Sequence, residues 1–163
     1  MEKCKDIYYI LINYCLVNKI TISTMESCTS GCIASLITDV QGASEIFPGS
    51  IVTYSNATKE MFGVPHSVIE EYGVYSQETA IAMANAVRET FGTNIGIGVS
   101  GSLGRVDPMN SDSISGEVHF AININGNVKS FTLDGIADER HTAKLIVAES
   151  VANELIGMIK ENE

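Results

Sequence analysis

Two β-branched runs are each followed at once by small polar residues and then by a helical period. That order constrains this 163-residue chain more than any other feature. Ile20-Thr21-Ile22-Ser23-Thr24 predicts a first strand, rich in residues that suit a pleated surface. Glu26-Ser27-Cys28-Thr29-Ser30-Gly31 follows, and Cys32, Ile33, Leu36, Ile37 and Val40 then repeat at helical spacing, with Gly42 closing the helix. Ser50-Ile51-Val52-Thr53-Tyr54 predicts a second strand, with Asn56 capping a short helix that carries Lys59, Met61 and Phe62.

The remaining segments fit the same plan. Residues 3–18 read as an amphipathic helix through Ile7, Ile10, Leu11, Tyr14 and Cys15. Val68 to Tyr72 makes a helical turn ended by Gly73, and a longer helix runs over 77–91 with Ala80, Met83, Ala84 and Val87 on one stripe. Residues 95–100 predict a third strand, whose Gly96 and Gly98 mark a close backbone approach. A long polar loop spans 101–116. Asn125-Gly126 then joins strands over 118–122 and 128–133, and residues 138–160 form the last helix. Alternating helices and strands plus one hairpin predict a single α/β domain over 1–163, with a mixed sheet covered by helices on both faces. Ligands collect beyond the carboxyl ends of such strands, so Glu26–Gly31, Tyr54–Lys59 and Ser100–Gly104 are expected to converge.

Composition narrows the function classes. A net charge of −10 disfavours direct nucleic-acid binding, which depends on Lys and Arg neutralising phosphates. A small anionic substrate then needs one or two cations or helix amino termini to reverse the field locally. No apolar stretch approaches the ~20 residues of a membrane span. Met1-Glu2-Lys3-Cys4-Lys5, followed by Asp6, does not read as a leader, so a cytoplasmic protein with reduced cysteines is expected.

Ser27 is the sharpest candidate for chemistry. It sits where a helix amino terminus offers unpaired N–H groups to a developing oxyanion, and backbone N–H groups over Cys28–Gly31 are the expected donors. The alternative is that Ser27 or Thr29 simply caps the helix. A serine nucleophile needs a base, and no His-Asp constellation is evident in the sequence. Lys59 can serve if burial drives its amine toward neutrality, with Tyr54 relaying a proton or orienting the amine; otherwise Lys59 is a solvated surface lysine.

Other signals are weaker. Gly98-Val99-Ser100-Gly101-Ser102 misses a nucleophile elbow by one residue, so Ser100 is expected to line the pocket. Gly101-x-x-Gly104 lacks the Lys-Ser/Thr ending of a phosphate loop. Glu117 and His119 share a strand face, but no further metal ligand accompanies them, so neither a metal nor a cofactor is expected. His66 and His141 read as solvent-facing. Cys28 and Cys32, four apart, read as small buried groups on one helix face.

Glu26-Ser27-Cys28-Thr29-x-Gly31, Val52-Thr53-Tyr54-Ser55-Asn56-x-x-Lys59 and Gly73-Val74-x-Ser76 together resemble the CinA carboxy-terminal family over nearly the whole chain. That family includes the nicotinamide mononucleotide deamidases. The resemblance implies a three-layer α/β/α fold, a homodimer, and hydrolysis of a carboxamide without metal. Ser27 then matches the nucleophile, Lys59 the general base and Tyr54 the assisting residue. The products would be nicotinate mononucleotide and ammonia. Cys28, Thr29, Ser30, Gly31, Asn56, Ser100, Gly101 and Ser102 fall where substrate is expected. The chain also departs from the family's pattern. Ser30 replaces a glycine, Gly101-Ser102-Leu103-Gly104-Arg105 replaces Gly-Ile-Ala-Gly-Pro, and Ser113-Ile114-Ser115-Gly116 replaces Lys-Pro-Val-Gly. A late Gly-Asp-Arg is missing, and Arg140 or His141 stands in its place. A nonhydrolytic relative, acting as a binding module in competence or DNA-damage responses, is the alternative that these departures leave open.

Overall fold

The computed structural model describes residues 2–161. Five strands, β1 (Ile22–Glu26), β2 (Gly49–Val52), β3 (Ile95–Gly101), β4 (Val118–Ile124) and β5 (Asn127–Leu133), form one sheet in the order β2-β1-β3-β4-β5. β1, β2 and β3 run parallel, whereas β3, β4 and β5 pair antiparallel. Six α-helices accompany them: α1 (Glu2–Asn18), α2 (Cys32–Thr38), α3 (Asn56–Met61), α4 (His66–Tyr72), α5 (Gln77–Phe91) and α6 (Arg140–Glu161).

Side-chain alternation sorts these elements into layers. Ile22 of β1 packs with α1, α2 and α6, whose Tyr8, Ile12, Ile33, Ile37, Val147 and Val151 fill the main core against Ile95, Ile97, Val99 and Phe120. Met25 points to the opposite face, where Val64 and, from α5, Met83 and Val87 enclose it. The sheet therefore lies between two helical layers. No helix among the described residues is long and apolar enough to cross a membrane.

The two glycines of β3 do what their spacing predicted. A Cβ on Gly96 would lie 2.2 Å from the Ala84 carbonyl oxygen, and one on Gly98 would lie 2.3 Å from that of Ala80. Such distances are sterically impossible, so only glycine lets α5 lie directly on this strand. Alanines at 80, 84 and 121 complete that close contact.

Several boundaries differ from the sequence expectation, each for a local reason. β1 begins at Ile22 rather than Ile20 because Lys19 turns left-handed at φ 56° and the Ile20 N–H returns to the Cys15 carbonyl, ending α1. α2 stops at Thr38, and Gly42, at φ 92°, opens a separate 3-10 turn over Ala43–Glu45 instead of closing the helix. β2 ends at Val52, which frees Thr53 and Tyr54 for the site. Asn56 is not the cap of α3. Ser55 takes that role, its hydroxyl accepting from the Thr58 N–H at 3.2 Å while the Thr58 hydroxyl accepts from the Ser55 N–H. Cys28 precedes α2, so it shares no helix face with Cys32. All four cysteines are free thiols.

Candidate active site

β1 and β3 are neighbours whose connections leave toward opposite edges of the sheet, and the crevice beyond their carboxyl ends is the topological switch point. Glu26, the last residue of β1, is fully buried and turns its carboxylate onto the start of α2. One oxygen accepts from the N–H groups of Gly31 (3.0 Å) and Ile33 (3.2 Å). The other accepts from Ala34 N–H (2.9 Å) and the Thr24 hydroxyl (3.2 Å). This carboxylate satisfies donors that the first turn of a helix otherwise leaves open, and so fixes the segment between them.

Ser27 begins that segment. Its N–H continues the sheet pairing by donating to the Val99 carbonyl at 3.0 Å, and the residue is only 4% exposed. Lys59 reaches it from α3. The amine lies 3.1 Å from Ser27 Oγ and donates to the Thr53 carbonyl at 2.8 Å, with the whole residue 1% exposed. Burial disfavours the ammonium and lowers its pKa from 10.5 to about 8, against smaller opposing pulls from Cys28 and then Asp107. Lys59 is therefore not the solvated surface lysine that its type alone suggests.

A cleft of about 880 Å³ opens over this pair, lined by Ser27, Cys28, Tyr54, Asn56, Gly101, Ser102 and Arg140 among others. The three strand tips converge there, as the alternation of elements implied. Tyr54 stands in the cleft but is 63% exposed, and its hydroxyl accepts from Arg140 at 3.2 Å. It is not hydrogen-bonded to Lys59 or Ser27, which removes the expected proton relay from this arrangement. Arg140 also donates to the Leu103 carbonyl, so a residue from the start of α6 holds the mouth of the long loop.

The other expected pocket residues divide. Asn56 lines the cleft and donates to Asn110 Oδ1 at 2.9 Å. Ser100 does not line it: the side chain is buried and its hydroxyl donates to the Val74 carbonyl at 2.7 Å. Thr29, Ser30 and Gly31 face a separate groove of about 530 Å³, together with Lys5, His141 and Lys144. Ser30 and Gly31 both take left-handed φ values, 51° and 88°, which accounts for a preference for glycine where this chain has serine.

The expected run of oxyanion donors also shortens. Gly31 N–H is engaged by Glu26, and the N–H groups of Ser30 and Cys32 donate to the carbonyls of Ser27 and Thr29, both at 3.0 Å. Cys28 and Thr29 retain N–H groups near the Cys28 sulfur, whose thiol burial pushes up to about 12 and so keeps neutral. Of the four expected donors, these are the two that no backbone carbonyl or carboxylate among the described residues engages.

Glu117 and His119 do share a face, the imidazole bonding Glu117 at 2.9 Å and Thr132 at 3.0 Å. No group of three or more His, Cys, Asp or Glu side chains among the described residues is placed to hold a metal. His66 is exposed and paired with Glu60, and His141 is exposed at the second groove.

Two cleft residues had no signal in the linear pattern, Tyr75 and Asp107. Tyr75 precedes the α5 cap and donates its hydroxyl to Asp107 at 2.6 Å. Asp107 belongs to a loop with no helix or strand of its own, so only the folded arrangement reveals that it lines the same cleft as Ser27.

The geometry can be set beside known proteins. The CinA C-terminal domain family matches residues 6–159. A CinA-like protein of Kosmotoga olearia is 33% identical over 154 residues, covering 92% of this chain and 37% of that protein. A CinA-like protein of Fervidobacterium nodosum is 39% identical over 101 residues, covering 61% of this chain and 25% of that protein. The chain thus spans well under half the length of these curated relatives. Among solved structures, a competence/damage inducible protein of Agrobacterium tumefaciens is 27% identical, with a TM-score of 0.85 over 95% of this chain and 94% of its own. A CinA superfamily protein of Escherichia coli, at 20% identity, shares the fold with the same TM-score over 95% of this chain and 90% of its own. With the motifs, the layer order and the sequence similarity in agreement from the first helix to the last, this chain belongs to the CinA C-terminal domain family.

Proposed function

We propose that this chain hydrolyses a carboxamide, with Ser27 as nucleophile and Lys59 as its base, and that the amide is that of nicotinamide mononucleotide or a related pyridine nucleotide. The observation that carries this reading is the buried amine of Lys59, lowered in pKa to about 8 and 3.1 Å from the Oγ of Ser27, which lines an open cleft. A structural lysine would extend into water, whereas this one gives up hydration to face a hydroxyl.

In its neutral form the amine donates to the Thr53 carbonyl and turns its lone pair to Ser27. Roughly a tenth of the molecules hold that form at pH 7, enough for a base matched to its task. Lys59 takes the Ser27 proton as Oγ bonds to the amide carbon, and the carbonyl oxygen becomes an oxyanion beside the N–H groups of Cys28 and Thr29. The C–N bond then breaks, the Lys59 ammonium protonates the departing nitrogen, and ammonia leaves an acyl-serine. Water, deprotonated by the same amine, attacks that ester and restores Ser27 with release of the carboxylate. Arg105 and Arg140 line the same cleft and supply positive charge for a phosphate in an otherwise acidic protein.

Purified protein is expected to release ammonia from nicotinamide mononucleotide, and Ser27→Ala to reduce that release to background. Full turnover by Ser27→Ala would remove the serine mechanism. Nucleotide binding without ammonia would leave a binding module on the same scaffold. The pH profile gives a second check. Because Lys59 acts when unprotonated, kcat/KM is expected to rise with pH and level off above about 8. A flat profile between roughly pH 6 and 9 would exclude Lys59 as the base.

A further inference from the structure

We infer that Asp107 and Tyr75 make the Ser27 end of the cleft selective for amides carried on a positively charged ring, an inference that rests on the amidase reading of this site. Asp107 is the single carboxylate among the described residues that line the cleft, where Arg105 and Arg140 are the cations. It forms no ion pair with either arginine, nor with any other described residue. Its partners are instead neutral donors. Tyr75 Oη donates to Oδ2 at 2.6 Å, Asn110 Nδ2 donates to the same oxygen at 2.7 Å, and the Met109 N–H donates to Oδ1 at 2.9 Å. Three neutral donors orient a carboxylate and keep it ionised without cancelling its charge.

The carboxylate also lies near the reacting groups. Asn110, which holds Asp107, accepts from Asn56, the first residue of the helix that carries Lys59. The charge of Asp107 is felt at the Lys59 amine, and Tyr75 and Cys28 line the same cleft. An anion with no ion-pair partner in contact, beside aromatic rings (Tyr75, with Tyr54 elsewhere on the wall), is the arrangement that recognises a quaternary nitrogen. A carboxamide on an N-substituted pyridinium presents such a charge permanently, at every pH, next to the bond to be broken. A neutral ring of the same shape would gain nothing from Asp107 and would still displace its water.

The experiment uses Ser27→Ala protein, in which ligands bind but do not turn over. Calorimetry compares nicotinamide mononucleotide with its reduced dihydro form, which keeps the phosphate, ribose and amide but has an uncharged ring. The oxidised form is expected to bind about tenfold more tightly. Asp107→Asn in the same background is expected to bring the two affinities together, and Asp107→Glu to keep them apart. Equal affinities with Asp107 intact, a preference that survives Asp107→Asn, or no saturable binding of either form would overturn the inference. If Asp107→Asn binds neither form because the loop collapses, the Glu variant decides: a retained preference supports the charge, and a lost one overturns it. Selective binding with no ammonia release by the unmutated protein would defeat the hydrolase reading and leave charge selection standing.

Discussion

Lys59→Met is expected to cost at least about a thousandfold in ammonia release and yet to raise the stability of the folded protein at pH 7. The two effects have one origin. Holding the amine out of water lowers its pKa from 10.5 to about 8, so the charged form is disfavoured in the folded state by about 3 kcal/mol. Below pH 8 both folded and unfolded chains carry that proton, and the folded state bears the whole penalty. Between pH 8 and 10.5 the native amine is already neutral while the unfolded one still binds its proton. The unfolded state then holds more protons, and stability rises with pH across that window. Methionine has a similar length and no charge. It forfeits the bonds to Thr53 and Ser27, each worth about 1 kcal/mol, so the net gain is about 1 kcal/mol, or roughly 2–4 °C in melting temperature. The advantage should shrink as pH rises from 8 to 10.5. Thermal melts of both proteins across that range check it; a methionine variant less stable at pH 7 would mean that the lysine is not held there against its solvation.

Glu26→Ala should be the most damaging single change near the site, lowering stability by about 3–5 kcal/mol and the melting temperature by roughly 10 °C. The carboxylate is fully buried and receives three backbone N–H groups and one hydroxyl. Truncation strands the buried donor of Ile33 and the half-buried donors of Gly31 and Ala34, and opens a cavity between β1 and α2. Glu26→Gln should cost less, about 2 kcal/mol, because its amide oxygen still serves one pair of donors while its NH2 group faces the other. Chemical denaturation of both variants gives the ordering; a Gln variant as weak as Ala would mean that the negative charge, rather than the acceptor geometry, holds α2. Activity is expected to fall in both, since Ser27 hangs between the two ends of this clamp.

The ordering of strands and helices was legible because burial imposes its period on the sequence. The β-branched runs became β1 and β2, the glycine-spaced run became β3, and Asn125-Gly126 turned the hairpin, with Asn125 and Gly126 at φ 51° and 96°. The meeting of Ser27 with Lys59 was legible through the two motifs that carry them, each at the carboxyl end of a strand. The errors arose where a side chain competes with its neighbour for one local task. Ser55 and Asn56 are both capping types, and the hydroxyl that could pair with Thr58 won. Ser100 looked like a pocket residue by position, but on a strand its neighbours face opposite sides, and its hydroxyl found the Val74 carbonyl. Glu26, Tyr75 and Asp107 were opaque for a different reason. Their roles depend on partners that only the folded chain brings close, and no period in a sequence records a contact of that kind.

The seating of α5 on β3 has a bearing on how such a protein diversifies. With backbone packed on backbone at Gly96 and Gly98, strand and helix behave as a single slab that admits neither a larger side chain nor a relative slide. The stretch that leaves the slab at Gly101 and ends at Gly116 is free of that constraint and lines the cleft, so it can vary for different ligands, much as a fixed handle takes interchangeable blades.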